Sequence, residues 1–209
     1  MSNHNRIFAA ATLAALLLTL RASADEPSIE SSATATNKPA LKASLRGGET
    51  IGTHQVQRAF LDIGTNRIVF IVPGGFWMDA SSPQKVVLTA ADKNCFITVR
   101  VITGTGSDAS SFKEQALSRY PGAKITGEST EWVANHSGTA FNLDWMNSGG
   151  VSQSARISFI PTPAGVLEFS VLTRSSEFKD ARMNFESLLS SVQTNESGKI
   201  VIVPLPDFS

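Results

Sequence analysis

Cysteine is nearly absent from this sequence of 209 residues, and its single occurrence, Cys95, limits the chemistry that the chain can hold. One cysteine cannot form an internal disulfide, and it cannot supply a multi-cysteine metal cluster. Cys95 lies beside Phe96 in an apolar run. A thiol in apolar surroundings ionises poorly, so we expect a buried, unreactive side chain and not a nucleophile.

Histidine is also scarce, and beyond the first 24 residues it occurs only as His54 and His136. Catalytic and zinc-binding histidines usually lie near cysteines or carboxylates, and neither residue has such neighbours. The sequence also lacks a Gly-x-Ser-x-Gly elbow, a phosphate loop and a dinucleotide loop. We therefore predict no cofactor and no catalysis. The alternative is an enzyme with a minimal hydrolytic site assembled by folding from Asp79, His136, Asp144 or Arg156.

An excess of positive charge is missing as well. The 18 basic and 18 acidic residues cancel, and without Arg6 and Arg21 of the N-terminal segment the balance is 16 against 18, a net charge of −2. No basic stripe offers a footprint for phosphates. The sequence therefore argues against a nucleic-acid partner.

A long hydrophobic run occurs only near the N-terminus. Arg6 precedes an apolar stretch, Ile7 to Leu20, and the small residues Ala22, Ser23 and Ala24 follow it. This order predicts a signal peptide over residues 1–24, cleaved after Ala24. A retained anchor is the alternative, but the stretch is shorter than the roughly 20 residues of a spanning helix. We expect a secreted or periplasmic protein with no stable membrane span after cleavage.

The predicted domain, residues 55–195, lies between two segments of different composition. Residues 25–54 are rich in Ser, Thr, Ala and Lys, which cannot bury enough apolar area to offset their ordering entropy, so they are predicted to form a disordered tether. In the C-terminal tail, residues 196–209, an apolar run precedes Pro204. This run is predicted to add a strand to an edge of its own sheet or to a partner.

Hydrophobic periodicity defines the fold class of the domain. Apolar and polar residues alternate from Ala155 to Pro161 and from Val166 to Thr173, which predicts two strands. Further strand pairs are predicted between Gln55 and Asn147. Apolar residues recur every three or four positions from Phe178 to Val192 and, more briefly, from Phe112 to Tyr120, which predicts two amphipathic helices. The pattern indicates an α+β domain with an antiparallel sheet of six to eight strands packed by two helices.

The order of these elements and two short motifs resemble the PsbP-like family. A strand, Asn66 to Phe70, runs into Pro73-Gly74-Gly75-Phe76-Trp77, and Gly165 to Phe169 resembles the family's late strand. The family shares its fold with Ran-binding nuclear import factors and small bacterial envelope lipoproteins. The resemblance implies a PsbP-like α/β/α sandwich over residues 55–195, no shared catalytic residues, and a role in binding other macromolecules.

Two aromatic residues and one histidine are the candidate binding residues. Pro73, Gly74 and Gly75 predict a loop that presents Phe76 and Trp77, and large aromatics at loop tips are enriched in contact surfaces. The alternative is that Trp77 folds back over the sheet edge. His136 occupies a predicted turn, where a solvated histidine is the other interpretation. The expected partner is another envelope or extracellular protein, and the sequence leaves the oligomeric state open.

Overall fold

The computed structural model describes residues 41–51, 54–102, 109–162 and 165–195. The predicted signal peptide with its cleavage site at Ala24, the tether up to residue 40 and the tail at 196–209 lie outside these ranges. Within the described ranges the chain forms eleven strands and two α-helices. In chain order they are β1 (Leu41–Ile51), β2 (His54–Ile63), β3 (Asn66–Val72), β4 (Phe76–Asp79), β5 (Lys85–Ala90), β6 (Phe96–Ile102), α1 (Ala109–Arg119), β7 (Lys124–Val133), β8 (His136–Met146), β9 (Ser152–Thr162), β10 (Gly165–Arg174), α2 (Phe178–Ser190) and β11 (Gln193–Asn195).

The strands form two antiparallel sheets. The large sheet has seven strands in the order β4-β5-β6-β10-β9-β8-β7, and the small sheet has four in the order β1-β2-β3-β11. The large sheet and the two helices confirm the predicted α+β class. The sequence pattern does not distinguish β2 and β3 from the strands of the main sheet. They form a separate sheet because β1 and β11, which were not recognised as strands, pair with their outer edges.

Strand β1 corrects the predicted boundary of the tether. The strand pairs with β2 from Leu41 opposite Ile63 to Ile51 opposite His54, so the prediction of disorder is wrong for residues 41–51. Leu41 is buried in the core, although the segment around it is polar. The Gly47-Gly48 pair is a β-bulge and not a linker, with φ of +94° at Gly48. Pairing with β2 stabilises β1, and composition alone does not report such a contact.

The two faces of the large sheet are covered by different elements. Directly opposed residues of antiparallel strands point to the same face, so the register shows which side chains share a face. On the core face, side chains such as Leu88 and Phe169 pack in one cluster with the small sheet and with Phe185 of α2. On the other face, which we call the α1 face, Phe159 stacks on Phe112 of α1 with ring centroids 4.8 Å apart. The large sheet therefore lies between α1 and a layer formed by α2 and the small sheet.

Cys95 follows the turn between β5 and β6 and lies in the core, as predicted. Burial raises the pKa of its thiol to about 11, and the negative charges of Asp92 and Glu177 act in the same direction. At neutral pH the side chain is therefore the uncharged thiol, which is a poor nucleophile.

A candidate binding surface on the α1 face

Helix α1 covers only part of the α1 face. Phe112 and Ala116 pack on β8 and β9 through residues such as Phe141 and Ile157. At β6, α1 packs against Ile102 and lies beside Arg100. Further along the same face, Trp77 of β4 and Phe96 of β6 are exposed. The described elements therefore cover the α1 face unevenly. We call the open part the open surface, and its residues are Trp77, Val87, Thr89, Phe96, Thr98 and Leu172.

Trp77 is the most prominent side chain of the open surface, with 61% of its area exposed. The structure places it in the edge strand β4, opposite Thr89 of β5, and not in a loop as predicted. The loop ends earlier because the Phe76 N–H donates to the Pro73 carbonyl across a turn in which Gly75 has φ of +79°. The exposed position also shows that Trp77 does not fold back over the sheet edge.

Phe76 does not share this exposure, which corrects its proposed place at the surface. Only 7% of Phe76 is exposed, and the ring belongs to the core cluster with the partly buried Met78. Successive side chains of a strand point to opposite faces of the sheet. Once β4 pairs with β5, one of these faces is the core face, so Phe76 and Trp77 cannot both reach solvent. Phe76 anchors the strand, and Trp77 is the residue that is free to make contacts.

His136 lies elsewhere in the large sheet. It begins β8 after a turn in which Ala134 and Asn135 have positive φ, and it is half-buried on the core face. Four strands separate β8 from β4, which at the usual strand spacing is about 24 Å. The structure therefore does not bring His136 to the open surface, and its binding role stays a prediction.

Phe96 is the second exposed aromatic residue of the open surface, and it was not among the residues predicted from the sequence. In β6 the buried residues Ile97 and Val99 alternate with Phe96 and Thr98, so Phe96 occupies the phase that faces solvent. Register places Phe96 beside Thr89 and opposite Leu172. The signal that could have identified Phe96 is an aromatic residue at a strand position where the alternation predicts a polar, solvent-facing side chain.

A shallow cavity of about 380 Å³ adjoins Trp77. It lies between the turn at Pro73 to Gly75 and the hairpin of β1 and β2, where Gly47 and Gly48 contribute no side chains. The backbone is therefore accessible from the cavity. A cavity of this kind beside an exposed indole can accept a side chain of a protein partner.

The residues of the enzymatic alternative are dispersed in the fold. Asp79 ends the edge strand β4 and accepts a hydrogen bond from the Ser81 backbone N–H at 2.9 Å. Asp144 and Arg156 lie on the core face of β8 and β9, where Asp144 accepts a hydrogen bond from Ser154. In the described part of the chain, no group of three or more His, Cys, Asp or Glu residues could hold a metal ion. The structure therefore does not bring Asp79 together with Asp144 and Arg156, because four strands separate β4 from β8.

Arg156 instead belongs to a polar network that joins β7, β8 and β9. Its guanidinium is 2.8 Å from the Glu131 carboxylate and donates to the Asn142 amide oxygen at 2.9 Å and to the Ser129 hydroxyl at 3.0 Å. Arg156 is buried, and Ser158 also donates to Glu131. The network satisfies the buried charge, which indicates a structural role.

The two helices and the antiparallel sheets form a PsbP-like fold. No family model and no curated protein matches the chain. LpqN, described as involved in cell envelope biogenesis of Mycobacterium tuberculosis, matches with a TM-score of 0.51 and 16% identity over 71% of this chain and 98% of that chain. The cyanobacterial PsbP (CyanoP) of Synechocystis sp. PCC 6803 matches with a TM-score of 0.49 and 13% identity over 71% and 98%. The Saccharomyces cerevisiae Ran-binding protein Mog1p matches with a TM-score of 0.47 and 13% identity over 73% and 96%.

At 16% identity the similarity to LpqN concerns the fold alone, and it agrees with the resemblance drawn from the order of elements. Over the described ranges, no helix has the length and apolar character needed to cross a membrane.

Proposed function

We propose that this chain is a secreted or periplasmic protein that binds another envelope or extracellular protein and does not act as a catalyst. One observation carries the proposal: Trp77 is 61% exposed, in the part of the α1 face that lies away from α1. Large aromatics at protein surfaces are the commonest anchors of protein interfaces. The open surface around Trp77 is the binding site in this proposal.

The chemistry of the open surface supports a protein partner. Trp77, Thr89, Phe96 and Leu172 form one row across four adjacent strands. Apolar and aromatic side chains thus lie next to hydroxyl groups, a mixture typical of interfaces. The adjoining cavity of about 380 Å³ gives a partner side chain a place to enter.

The role in the envelope rests on the N-terminal sequence and on the fold. A fold shared with LpqN, a protein involved in cell envelope biogenesis, is compatible with that role. We expect the mature protein to begin at Asp25, because the apolar stretch and the small residues before Ala24 fit signal peptidase. Mass spectrometry of the protein purified from the extracytoplasmic fraction measures this N-terminus. A cytosolic protein that retains Met1 would contradict the predicted export.

Trp77→Ala is expected to abolish capture of the partner and to change the melting temperature by no more than a few degrees. An exposed anchor contributes about 2 kcal/mol or more to association and little to folding. The measurement is affinity capture from envelope extract with the mature protein, followed by titration of the captured protein against each variant.

Trp132→Ala is the matched control, because Trp132 is 68% exposed on the same face but lies in β7 at the opposite edge of the large sheet. A protein retained by the wild type and by Trp132→Ala, and lost with Trp77→Ala, fits the proposal. Equal retention by all three proteins would mean that the open surface is not the binding site.

A further inference from the structure

A second cavity, of about 330 Å³, lies where β5 begins and β6 ends, beside the C-terminal end of α1. Three cationic side chains line it, Lys85 from β5, Arg100 from β6 and Arg119 from α1. Polar residues Ser82, Gln84 and Gln115 also contribute to its wall. We call it the cationic cavity, and neither its charge nor its position was apparent from the sequence.

A buried carboxylate holds the two arginines in place. Glu168 of β10 is fully buried, and its two oxygens accept from Arg100 Nε at 2.8 Å and from Arg119 Nη2 at 2.7 Å. Lys85, Arg100 and Glu168 are neighbours in register across β5, β6 and β10. The cavity therefore has rigid cations on a sheet and a helix, which is the kind of preorganised site that binds anions with specificity.

The charges at the cationic cavity do not cancel. Three cations face one carboxylate, which leaves a surplus of two positive charges among these groups. The exposed Asp79 also interacts with Lys85, but it does not line the cavity, and its oxygen accepts from Ser81. A dianionic group would neutralise the surplus.

Arg100 also has an unused donor. Its Nη2 atom is buried and has no hydrogen-bond partner among the residues that the structure describes. A buried donor without a partner is unfavourable, and native proteins usually satisfy it with protein, water or ligand. Arg100 lines the cavity, but this atom is shielded from it, so the guanidinium must turn before an anion bound there can accept the hydrogen bond.

We propose that the cationic cavity binds the phosphate group of a small phosphorylated molecule. A phosphomonoester carries a charge of about −1.5 to −2 at neutral pH, which matches the surplus. Guanidinium groups have the planar donor geometry that fits phosphate oxygens. A cavity of about 330 Å³ has room for the phosphate and for part of the molecule that carries it.

Glu168 makes binding dependent on pH, because it competes with the ligand for both arginines. The groups that face it are Arg100 from β6, Arg119 at the end of α1 and Tyr120 directly after α1. Burial raises the pKa of Glu168 to about 7, against the lowering effect of Arg100. As the pH falls through 7 the carboxylate takes up a proton, and the surplus of positive charge at the cavity rises from two to three. Sulfate, whose charge is constant in this range, should therefore bind more tightly below pH 7 than above it.

The experiment is calorimetric titration of the full-length mature chain with glycerol 3-phosphate. We expect saturable binding, a loss of about tenfold in affinity with Lys85→Gln or Arg100→Gln, which corresponds to about 1.4 kcal/mol, and no such loss with Lys124→Gln. Lys124 is the matched control because it is an exposed lysine in β7 at the far edge of the large sheet. Lys85 is exposed, so Lys85→Gln keeps the test valid if Arg100→Gln does not fold.

Glu168→Gln is expected to tighten binding by several-fold, because it removes the competing charge. Vesicles of phosphatidylcholine with and without phosphatidic acid distinguish a lipid headgroup from a soluble phosphomonoester as the source of the phosphate. Binding of either probe that depends on Lys85 supports the proposal. Binding of neither probe, equal weakening by Lys124→Gln, or unchanged or weaker binding to Glu168→Gln would overturn it.

Discussion

Phe185→Ala is expected to lower the free energy of unfolding by about 3 to 5 kcal/mol. Phe185 is fully buried on α2, between the core face of the large sheet and the small sheet. Its truncation removes the transfer free energy of the ring and leaves a cavity that this layered core can only partly fill. The loss is a large fraction of the 5 to 15 kcal/mol that is typical of a domain. Urea titration of the wild type and the variant measures it.

Met183→Ala is the control on the same helix. Met183 is exposed, so its truncation should change the free energy of unfolding by less than about 0.5 kcal/mol. A loss below about 1 kcal/mol for Phe185→Ala would mean that α2 does not hold the two sheets together through this residue.

Arg156→Ala is expected to lower the free energy of unfolding by about 3 kcal/mol. Removing one partner of a buried ion pair leaves an uncompensated charge, which costs about 3 to 5 kcal/mol. We choose the lower end because the Glu131 side chain is 18% exposed and can gain some hydration. Thermal and denaturant unfolding of the variant measure the effect.

Arg182→Ala provides the matched comparison. Arg182 forms an ion pair with Glu186 one turn further along α2, and both side chains are more than 40% exposed. Exposed pairs of this spacing contribute about 0.3 to 0.5 kcal/mol, so the variant should be nearly as stable as the wild type. Similar losses for both arginine variants would show that the network around Arg156 is solvated and contributes little.

Segments with a strong hydrophobic periodicity were assigned to the correct type of secondary structure from the sequence. The helix predicted from Phe178 to Val192 is present as α2 with Phe185 and Leu189 buried, because its apolar spacing is visible within a few turns. The predicted start at Phe178 is also that of α2, whereas the helix ends at Ser190, two residues before Val192. No side-chain cap precedes α2, and the Ser175 hydroxyl lies 2.8 Å from that of Ser154 on β9.

The candidate site was only partly predictable, because contacts between residues distant in sequence determine much of it. The exposed Trp77 could be singled out because it follows a Pro-Gly-Gly turn. Phe76 was misplaced because the pairing of β4 with β5 decides which of the two neighbours faces the core. The cationic cavity unites residues of β5, β6, α1 and β10, so no local pattern contains it.

The shortness of β4 affects how a partner can be selected. The strand has four residues, Phe76 to Asp79, and forms one edge of the large sheet. An added strand could make only about four hydrogen bonds along it, because an antiparallel edge offers an outward N–H and C=O pair at every second residue. Backbone pairing of that kind accepts almost any extended peptide. A short edge limits this pairing and therefore also discourages unselective aggregation. Discrimination between partners at this edge would therefore depend on the shape and chemistry of the side chain that meets the indole of Trp77.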